Sequence, residues 1–192
     1  MSGGAAPERP FACRCGRLAG RLRDGGPEAH LLCHCRDCRA HHTQGGQVDP
    51  GAADLLETAP GRVLIERGAE HLAAIRLRPR GGMIRWVAAC CGTALFSLPP
   101  LPRAGIVHVN AATLSGPPLP PVSGEAFVPR RGGGTAHKGA LTLAGNVLSQ
   151  VLAANLSGSW RDTPFFDADG VPVRTPHRLT ADERAAAYSR LD

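Results

Sequence analysis

Three cysteines and three histidines lie within twelve residues of this chain, in the stretch LLCHCRDCRAHH at positions 31–42. Thiolates and imidazoles are ligands that Zn²⁺ prefers in proteins, and thiolates are also nucleophiles. The spacing Cys-x-Cys-x-x-Cys is typical of a tight metal-binding turn that runs into a short helix. We therefore predict a metal site at this trio of cysteines, which consists of Cys33, Cys35 and Cys38.

The other four cysteines form two further groups. The first pair is Cys13 and Cys15, and the adjacent pair is Cys90 and Cys91. Because seven is an odd number, these cysteines cannot all be joined in disulfides. The amino terminus shows no secretory signal, which predicts a cytoplasmic protein whose clustered cysteines bind one or two Zn²⁺ ions.

The number of ligands decides what each site does. Four protein ligands make a closed structural site, whereas three leave a corner where water or substrate binds and the ion acts as a Lewis acid. Two alternatives remain for the trio. It is either an open three-cysteine site, or a closed site completed by one neighbouring histidine, namely His34, His41 or His42.

The composition predicts mainly β elements to position these ligands. The 192 residues include 24 glycines and 17 prolines but few aromatic residues, which indicates many turns around one core. Apolar patterning predicts a strand from Phe11 and a helical turn at 52–57. Further strands are predicted at 62–66, 72–80, 83–89, 93–98 and 106–110.

Three regions are predicted along the chain: a disordered N-terminus at 1–10, a zinc-binding domain at 11–129, and a linker with a helical C-terminal extension at 130–192. Two arginines and three glycines at 130–134 are typical of a flexible linker. Phe165 and Phe166 are predicted to fix the later part of the extension to the core.

Two helices are predicted within the extension. The first, at 137–157, carries an apolar stripe that must pack on the core or form a homodimer. The stripe consists of Leu141, Leu148, Val151, Leu152 and Leu156. The second helix begins with a capping box at Thr180 to Glu183 and runs to about Arg190.

Charge and hydropathy narrow the class of partner. The formal charge of +6 falls to about +3 if seven thiolates bind two Zn²⁺ ions, which makes nucleic acid an improbable partner. A zinc-ribbon-like module that binds nucleic acid or protein remains the alternative, supported by the arginine row Arg76, Arg78 and Arg80. The uncharged stretch 139–160 is too polar to cross a membrane, so no membrane partner is expected.

The order of the three cysteine groups resembles the glutathione-dependent formaldehyde-activating enzyme family, which includes centromere protein V. The resemblance covers about residues 11–98. It rests on Cys13, Cys15 and Gly16, on Cys33, Cys35, Cys38 and Arg39, and on Cys91 and Gly92. It implies a β-tent fold of zinc-bearing antiparallel sheets and a carbon–sulfur lyase that adds a small thiol, such as glutathione, to a small aldehyde, such as formaldehyde.

The resemblance also implies roles for individual residues. The first pair and Cys91 would bind a structural zinc, and the trio would hold the open zinc associated with catalysis. That family typically ends with Cys-x-x-Cys-Gly, but Ala88 takes the place of its first cysteine here, and Cys90 is the obvious substitute. Around the trio, Asp37 or a histidine would transfer protons. Substrate carboxylates would bind Arg36, Arg39 or Arg85.

Overall fold

The structure is a computed structural model that describes residues 7–191. Within this range the chain forms twelve strands and three α-helices. The strands are β1 (Arg9–Ala12), β2 (Ala19–Leu22), β3 (Ala29–Cys33), β4 (Ala53–Thr58), β5 (Val63–Arg67), β6 (Leu72–Arg76), β7 (Ile84–Ala88), β8 (Thr93–Leu98), β9 (Val107–Asn110), β10 (Val122–Pro129), β11 (Thr135–Lys138) and β12 (His177–Arg178). The helices are α1 (Arg36–His42), α2 (Ala140–Ser157) and α3 (Ala181–Tyr188).

The strands make two sheets, which confirms the predicted mainly β class. A three-stranded sheet has the order β1-β2-β5, and a nine-stranded sheet has the order β11-β10-β3-β4-β9-β8-β7-β6-β12. Most neighbours are antiparallel, as predicted. The exceptions are β10 beside β3 and β12 beside β6, which pair in parallel because long connections return the chain to the sheet in the same direction.

Aromatic side chains fill the core between the sheets. Phe165 is fully buried, with its ring centroid 5.1 Å from that of Trp86 and 5.2 Å from that of Phe96. Phe166 is also buried in this cluster. The two phenylalanines therefore fix the later part of the extension to the core, as predicted.

The predicted helical turn at 52–57 is wrong. These residues lie mostly in β4, which pairs with β3 on one side and β9 on the other. Ala53, Leu55 and Leu56 are buried, and the strand is covered on both faces. A strand buried on both faces loses the alternation that distinguishes it from a short helix in the sequence.

Two other predicted boundaries are also corrected. The disordered N-terminus was predicted to include Arg9 and Pro10, but β1 begins at Arg9, whose buried guanidinium pairs with Glu28. Residues 1–6 of that prediction lie outside the described part of the chain. The strand predicted at 72–80 ends at Arg76, so Arg76, Arg78 and Arg80 do not form a continuous row on one strand.

The predicted linker at 130–134 is a hairpin loop. It joins β10 to β11, which pair in antiparallel fashion. The amide of Gly133 donates to the carbonyl of Arg130, and Gly132, Gly133 and Gly134 all have positive φ. The glycines therefore serve a tight turn within the sheet, and not a hinge between two bodies.

Helix α2 packs with a different face from the predicted one. Leu143 contacts Gly124, Ala154 contacts Gly105, and Gln150 is buried. The stripe residues Leu141, Leu148, Leu152 and Leu156 are instead exposed, by 91%, 59%, 53% and 87%. The packed face of α2 is therefore formed by Leu143, Gln150 and Ala154, and not by the predicted stripe.

The second predicted helix is confirmed as α3. The Thr180 hydroxyl accepts from the amide of Glu183, and the Glu183 carboxylate accepts from the amide of Thr180, as in a capping box. None of the helices in residues 7–191 is both long and apolar enough to cross a membrane.

Candidate metal centres and pocket

The first pair and the adjacent pair meet in space. Together they form a four-cysteine group, in which every sulfur lies within 4.8 Å of every other. The Sγ atom of Cys15 is 3.4 Å from that of Cys90 and 3.6 Å from that of Cys13. A tetrahedral ion with Zn–S bonds of about 2.3 Å has S···S edges of about 3.8 Å. The four sulfurs therefore fit one tetrahedral metal ion.

Two glycine turns bring these sulfurs together. Gly16 and Gly92 follow the two pairs, and both have positive φ. The amides of Cys91 and Gly92 donate to the carbonyl of Ala88, so the backbone turns back immediately after β7. This turn directs both cysteines of the adjacent pair to the same group, and neither of them adopts positive φ. Cys90 thus supplies the sulfur that Ala88 lacks.

The thiols of the adjacent pair have opposite pKa shifts. Burial, together with hydrogen bonds to Cys15 and Cys13, raises the pKa of Cys90 to about 12. For Cys91, burial opposes ionisation, but hydrogen bonds from the Thr93 hydroxyl and from backbone amides outweigh it and lower the pKa to about 6. The group therefore favours a thiolate at Cys91 even without a metal ion.

The trio forms a second group at the end of β3. Cys33 is the last residue of that strand, Cys35 is the N-cap of α1, and Cys38 lies in its first turn. The Cys35 sulfur accepts from the amide of Cys38 at 3.3 Å. All three sulfurs lie within 4.8 Å of one another, which is close enough for one ion. The predicted metal-binding turn leading into a short helix is therefore present.

None of the three nearby histidines joins the trio as a fourth ligand. Within residues 7–191, the group of possible ligands here consists of the three sulfurs alone. The Nε2 atom of His34 lies 3.0 Å from the Glu125 carboxylate. The Nδ1 atom of His41 lies 3.3 Å from the Ser97 hydroxyl, and His42 is the buried last residue of α1. Among the described residues, none supplies a fourth ligand to this site.

Arg85 is the closest positive charge to the trio. Its guanidinium is buried, and both Nη atoms lie 3.5 Å from the Cys38 sulfur. Nη1 also donates to the Ser97 hydroxyl at 2.9 Å. Among the described residues, Arg85 makes no ion pair with a carboxylate. Because a buried cation is costly without an anion, a thiolate at Cys38 is its natural partner.

The pKa values within the trio are consistent with this pairing. Hydrogen bonds from Cys33 and Cys35, together with the charge of Arg85, hold the pKa of Cys38 well below its usual value. Hydrogen bonding to its two neighbours and burial raise the pKa of Cys33. One proton is therefore lost easily, and a bound cation would favour loss of the other two.

A pocket of about 480 Å³ opens beside the trio. Its walls are chiefly apolar and include Leu31, Leu55 and Met83. Phe127 also lines it, at a bulge of β10, and is the one non-glycine residue with positive φ in the described chain. Such strained backbone occurs at ligand sites, where the fold fixes a side chain in an unusual direction.

Two of the predicted polar residues, Asp37 and Arg85, line the pocket, but both are bound by other residues of the chain. Asp37 accepts from the Tyr188 hydroxyl at 2.6 Å and pairs with Arg78, so its oxygens are engaged. Arg36 lies 4.6 Å over the ring of Tyr188, and Arg39 pairs with Asp49. Of the three predicted arginines only Arg85 lines the pocket, and its guanidinium faces Cys38.

Sequence reasoning missed His108 and Glu57. His108 on β9 lines the pocket, and its Nε2 atom lies 3.0 Å from the buried carboxylate of Glu57 on β4. The available signal was a single histidine within the apolar run Ile-Val-His-Val of a predicted strand. Only the pairing of β4 with β9 shows what that histidine faces.

The fold and these groups define a mainly β, cysteine-rich protein with two candidate metal sites, one complete and one open to a pocket. The chain belongs to DUF6151, a family of unknown function, whose model matches residues 6–114. The matched region is more than half of the chain and contains all seven cysteines. A comparison with curated proteins found no match.

We predict two metal ions per chain. Elemental analysis of protein purified without chelator measures this number, and the triple variant Cys33→Ala, Cys35→Ala, Cys38→Ala should hold one. A variant with alanine at all four cysteines of the other group should also lose one ion. It should lose much of its stability as well, because a metal ion there would connect the turn that follows β1 to the turn that follows β7. A folded triple variant that still holds two ions would contradict the assignment of the trio.

We also predict acid sensitivity from the buried histidines. Burial lowers the pKa of His42 from 6.5 to about 4. The unfolded chain therefore binds a proton at His42 that the folded chain rejects, so stability is complete above about pH 6.5 and falls as the pH drops towards 4. The shift corresponds to about 3 kcal/mol of unfolding free energy.

Chemical denaturation of wild type and His42→Gln across this pH range tests the prediction. The variant should lose about 3 kcal/mol less than wild type between pH 6.5 and pH 4. The difference between the two proteins isolates His42, because acid release of metal affects both. Parallel stability curves would contradict the prediction.

Proposed function

We propose that this protein is a zinc-binding carbon–sulfur lyase-like enzyme that adds a small thiol to a small aldehyde, or reverses that addition, at the trio. The single observation that carries the proposal is the contrast between the two cysteine groups. One has four sulfurs, and the other has three sulfurs with no fourth ligand from the described part of the chain, beside a pocket of about 480 Å³. A β-tent fold with zinc at both groups, as in the family that the sequence resembles, belongs to this proposal.

The ligand set fits zinc. Sulfur-only sites select soft or borderline ions, and a tetrahedral group of thiolates is typical of Zn²⁺. Zinc bound at the trio would supply a coordination position that lowers the pKa of a thiol substrate and makes it a better nucleophile at neutral pH.

The residues around the trio adjust charge and exclude water. Three thiolates on a divalent ion have a net charge of about −1, which weakens attraction for a fourth, anionic ligand. The guanidinium of Arg85, 3.5 Å from Cys38, offsets this charge. Leu31, Leu55 and Met83 provide an apolar surface for the carbon atoms of thiol and aldehyde.

The alternative of a nucleic-acid- or protein-binding zinc-ribbon-like module has less support. The arginine row that favoured it is interrupted, because β6 ends at Arg76 and Arg78 pairs with Asp37. The trio also opens onto a chiefly apolar pocket whose lining includes a single phenylalanine, Phe127, and neither tyrosine nor tryptophan, whereas binding of single strands uses several stacked aromatic side chains. The experiment below separates the two classes.

We predict that the protein accelerates exchange between formaldehyde and its glutathione adduct. Carbon-13 exchange spectroscopy with labelled formaldehyde measures this rate above the uncatalysed background. The triple variant of the trio should show no acceleration, whereas Arg21→Gln, on the three-stranded sheet, should match wild type. A wild type with two bound ions that exchanges no faster than buffer, with glutathione and with 2-mercaptoethanol, would reject the enzymatic proposal.

The partner and the location form a second part of the proposal. The exposed leucines of α2 form an apolar face in a stretch without charge, and we propose that a second copy of the chain covers it. A cytoplasmic location fits the seven free thiols, which need a reducing compartment.

Sedimentation tests the homodimer. Wild type should sediment as a dimer, and Leu148→Glu with Leu152→Glu should shift it to monomer, because two carboxylates would then face the partner. Val48→Glu, which changes an exposed residue away from α2, is the matched control. A monomeric wild type at tens of micromolar would disprove the dimer.

A further inference from the structure

A row of polar side chains crosses the sheet below the pocket. In the register of the sheet, Glu57 on β4 faces His108 on β9. His108 faces Ser97 on β8, and Ser97 faces Arg85 on β7. Residues directly opposite each other on paired strands share a face of the sheet and lie about 5 Å apart. The row thus leads from the trio, through Arg85, to a histidine and a carboxylate on the same face.

Each oxygen of the Glu57 carboxylate has one hydrogen-bond partner. Its Oε2 atom lies 3.0 Å from Nε2 of His108, and its Oε1 atom accepts from Nε2 of Gln150 at 3.0 Å. Glu57 and Gln150 are each 3% exposed. Because an ionised carboxylate only accepts hydrogen bonds, the neutral form of His108 that faces it carries its hydrogen on Nε2 and keeps a lone pair on Nδ1.

The lone pair of His108 distinguishes it from a purely structural histidine. His30 makes a similar cross-strand pair with Asp54 on β3 and β4, but both of its ring nitrogens are engaged, by Asp54 and by the carbonyl of Pro120. In the described chain, Nδ1 of His108 has no hydrogen-bond partner, and the residue lines the pocket. Asp37, the other non-cysteine acid or base of the lining, is bound by Tyr188 and Arg78.

We propose that His108 is the catalytic acid–base of the pocket and that Glu57, held by Gln150, is its positioning residue. This inference rests on the proposed function, because it names the group that moves the proton in that reaction. Nδ1 of His108 takes the proton of the thiol when the thiol binds, and the thiolate sulfur then attacks the aldehyde carbon. A carbon–sulfur bond forms, and the π electron pair of the carbonyl moves to its oxygen.

The same imidazole completes the reaction. The proton on Nδ1 passes to the carbonyl oxygen, which gives the hydroxyl of the thiol adduct and returns neutral His108. Thiol and aldehyde supply every atom of the product, and no oxidant or reductant is needed. Glu57 stays ionised and stabilises the imidazolium between the two transfers, and Ser97 and Arg85 continue the row towards Cys38. The reverse sequence cleaves the adduct.

The kinetic test compares His108→Gln with His30→Gln. We expect the catalysed exchange rate of His108→Gln to fall about 100-fold or more, while His30→Gln stays within about twofold of wild type. Metal content should be unchanged in both. Glu57→Gln should lower turnover with little change in KM. A His108→Gln variant that keeps its metal and the wild-type rate would overturn the role of His108 and leave the proposed function standing.

A second measurement requires neither turnover nor a substituted protein. Nitrogen-15 spectra of the histidine rings in the metal-loaded wild type are recorded at a pH where the free His108 ring is neutral, while 2-mercaptoethanol is added. Transfer of the thiol proton should convert the His108 signals to the doubly protonated form and leave those of His30 unchanged. If His108 does not respond, the inference is wrong. If it responds in a protein that shows no exchange activity, the acid–base role stands and the proposed aldehyde reaction fails.

Discussion

The candidate site depends on the contact between the buried guanidinium of Arg85 and the sulfur of Cys38. A buried cation without a counter-ion costs several kcal/mol, and the anion that the described chain offers is the sulfur of Cys38. The thiolate in turn crowds two further thiols within 4.8 Å, and three ionised sulfurs at that distance repel unless a cation lies between them. The buried arginine thus stabilises one thiolate at the trio, at Cys38, and a bound cation would favour loss of the protons of Cys33 and Cys35.

The two cysteine groups differ in their number of sulfurs because different elements of the fold carry them. In the four-cysteine group, two turns at strand ends converge, and each supplies two sulfurs. The trio comes from a single strand–helix junction, so no second segment provides a fourth sulfur. The loop after α1 then packs on the other group, with Gly45 against Gly92 so closely that a Cβ atom at either glycine would clash with backbone. The closed group therefore also supports the element that carries the open one.

Local spacing was sufficient to predict the cysteine groups, the turn into α1, the substitution of Cys90 for the missing cysteine and the cap of α3. Each of these depends on residues close together in the chain. The pairing of His108 with Glu57 depends on the register between two distant strands, and β4 itself was mistaken for a helical turn because both of its faces are buried. The packed face of α2 was also missed. Its buried residues are Gln150 and Ala154, and a search for regularly spaced apolar residues does not identify a polar and a small side chain as a packing face.

The glutamine of α2 connects the extension to the pocket. The family match ends at residue 114, before this helix begins, yet Gln150 supplies one of the two hydrogen bonds that hold Glu57. Without it, a buried carboxylate oxygen would lose its partner, at a cost of about 1–3 kcal/mol, and Glu57 would be free to turn away from His108. The extension therefore contributes to the pocket, because the carboxylate that contacts His108 is held by a side chain outside the matched region.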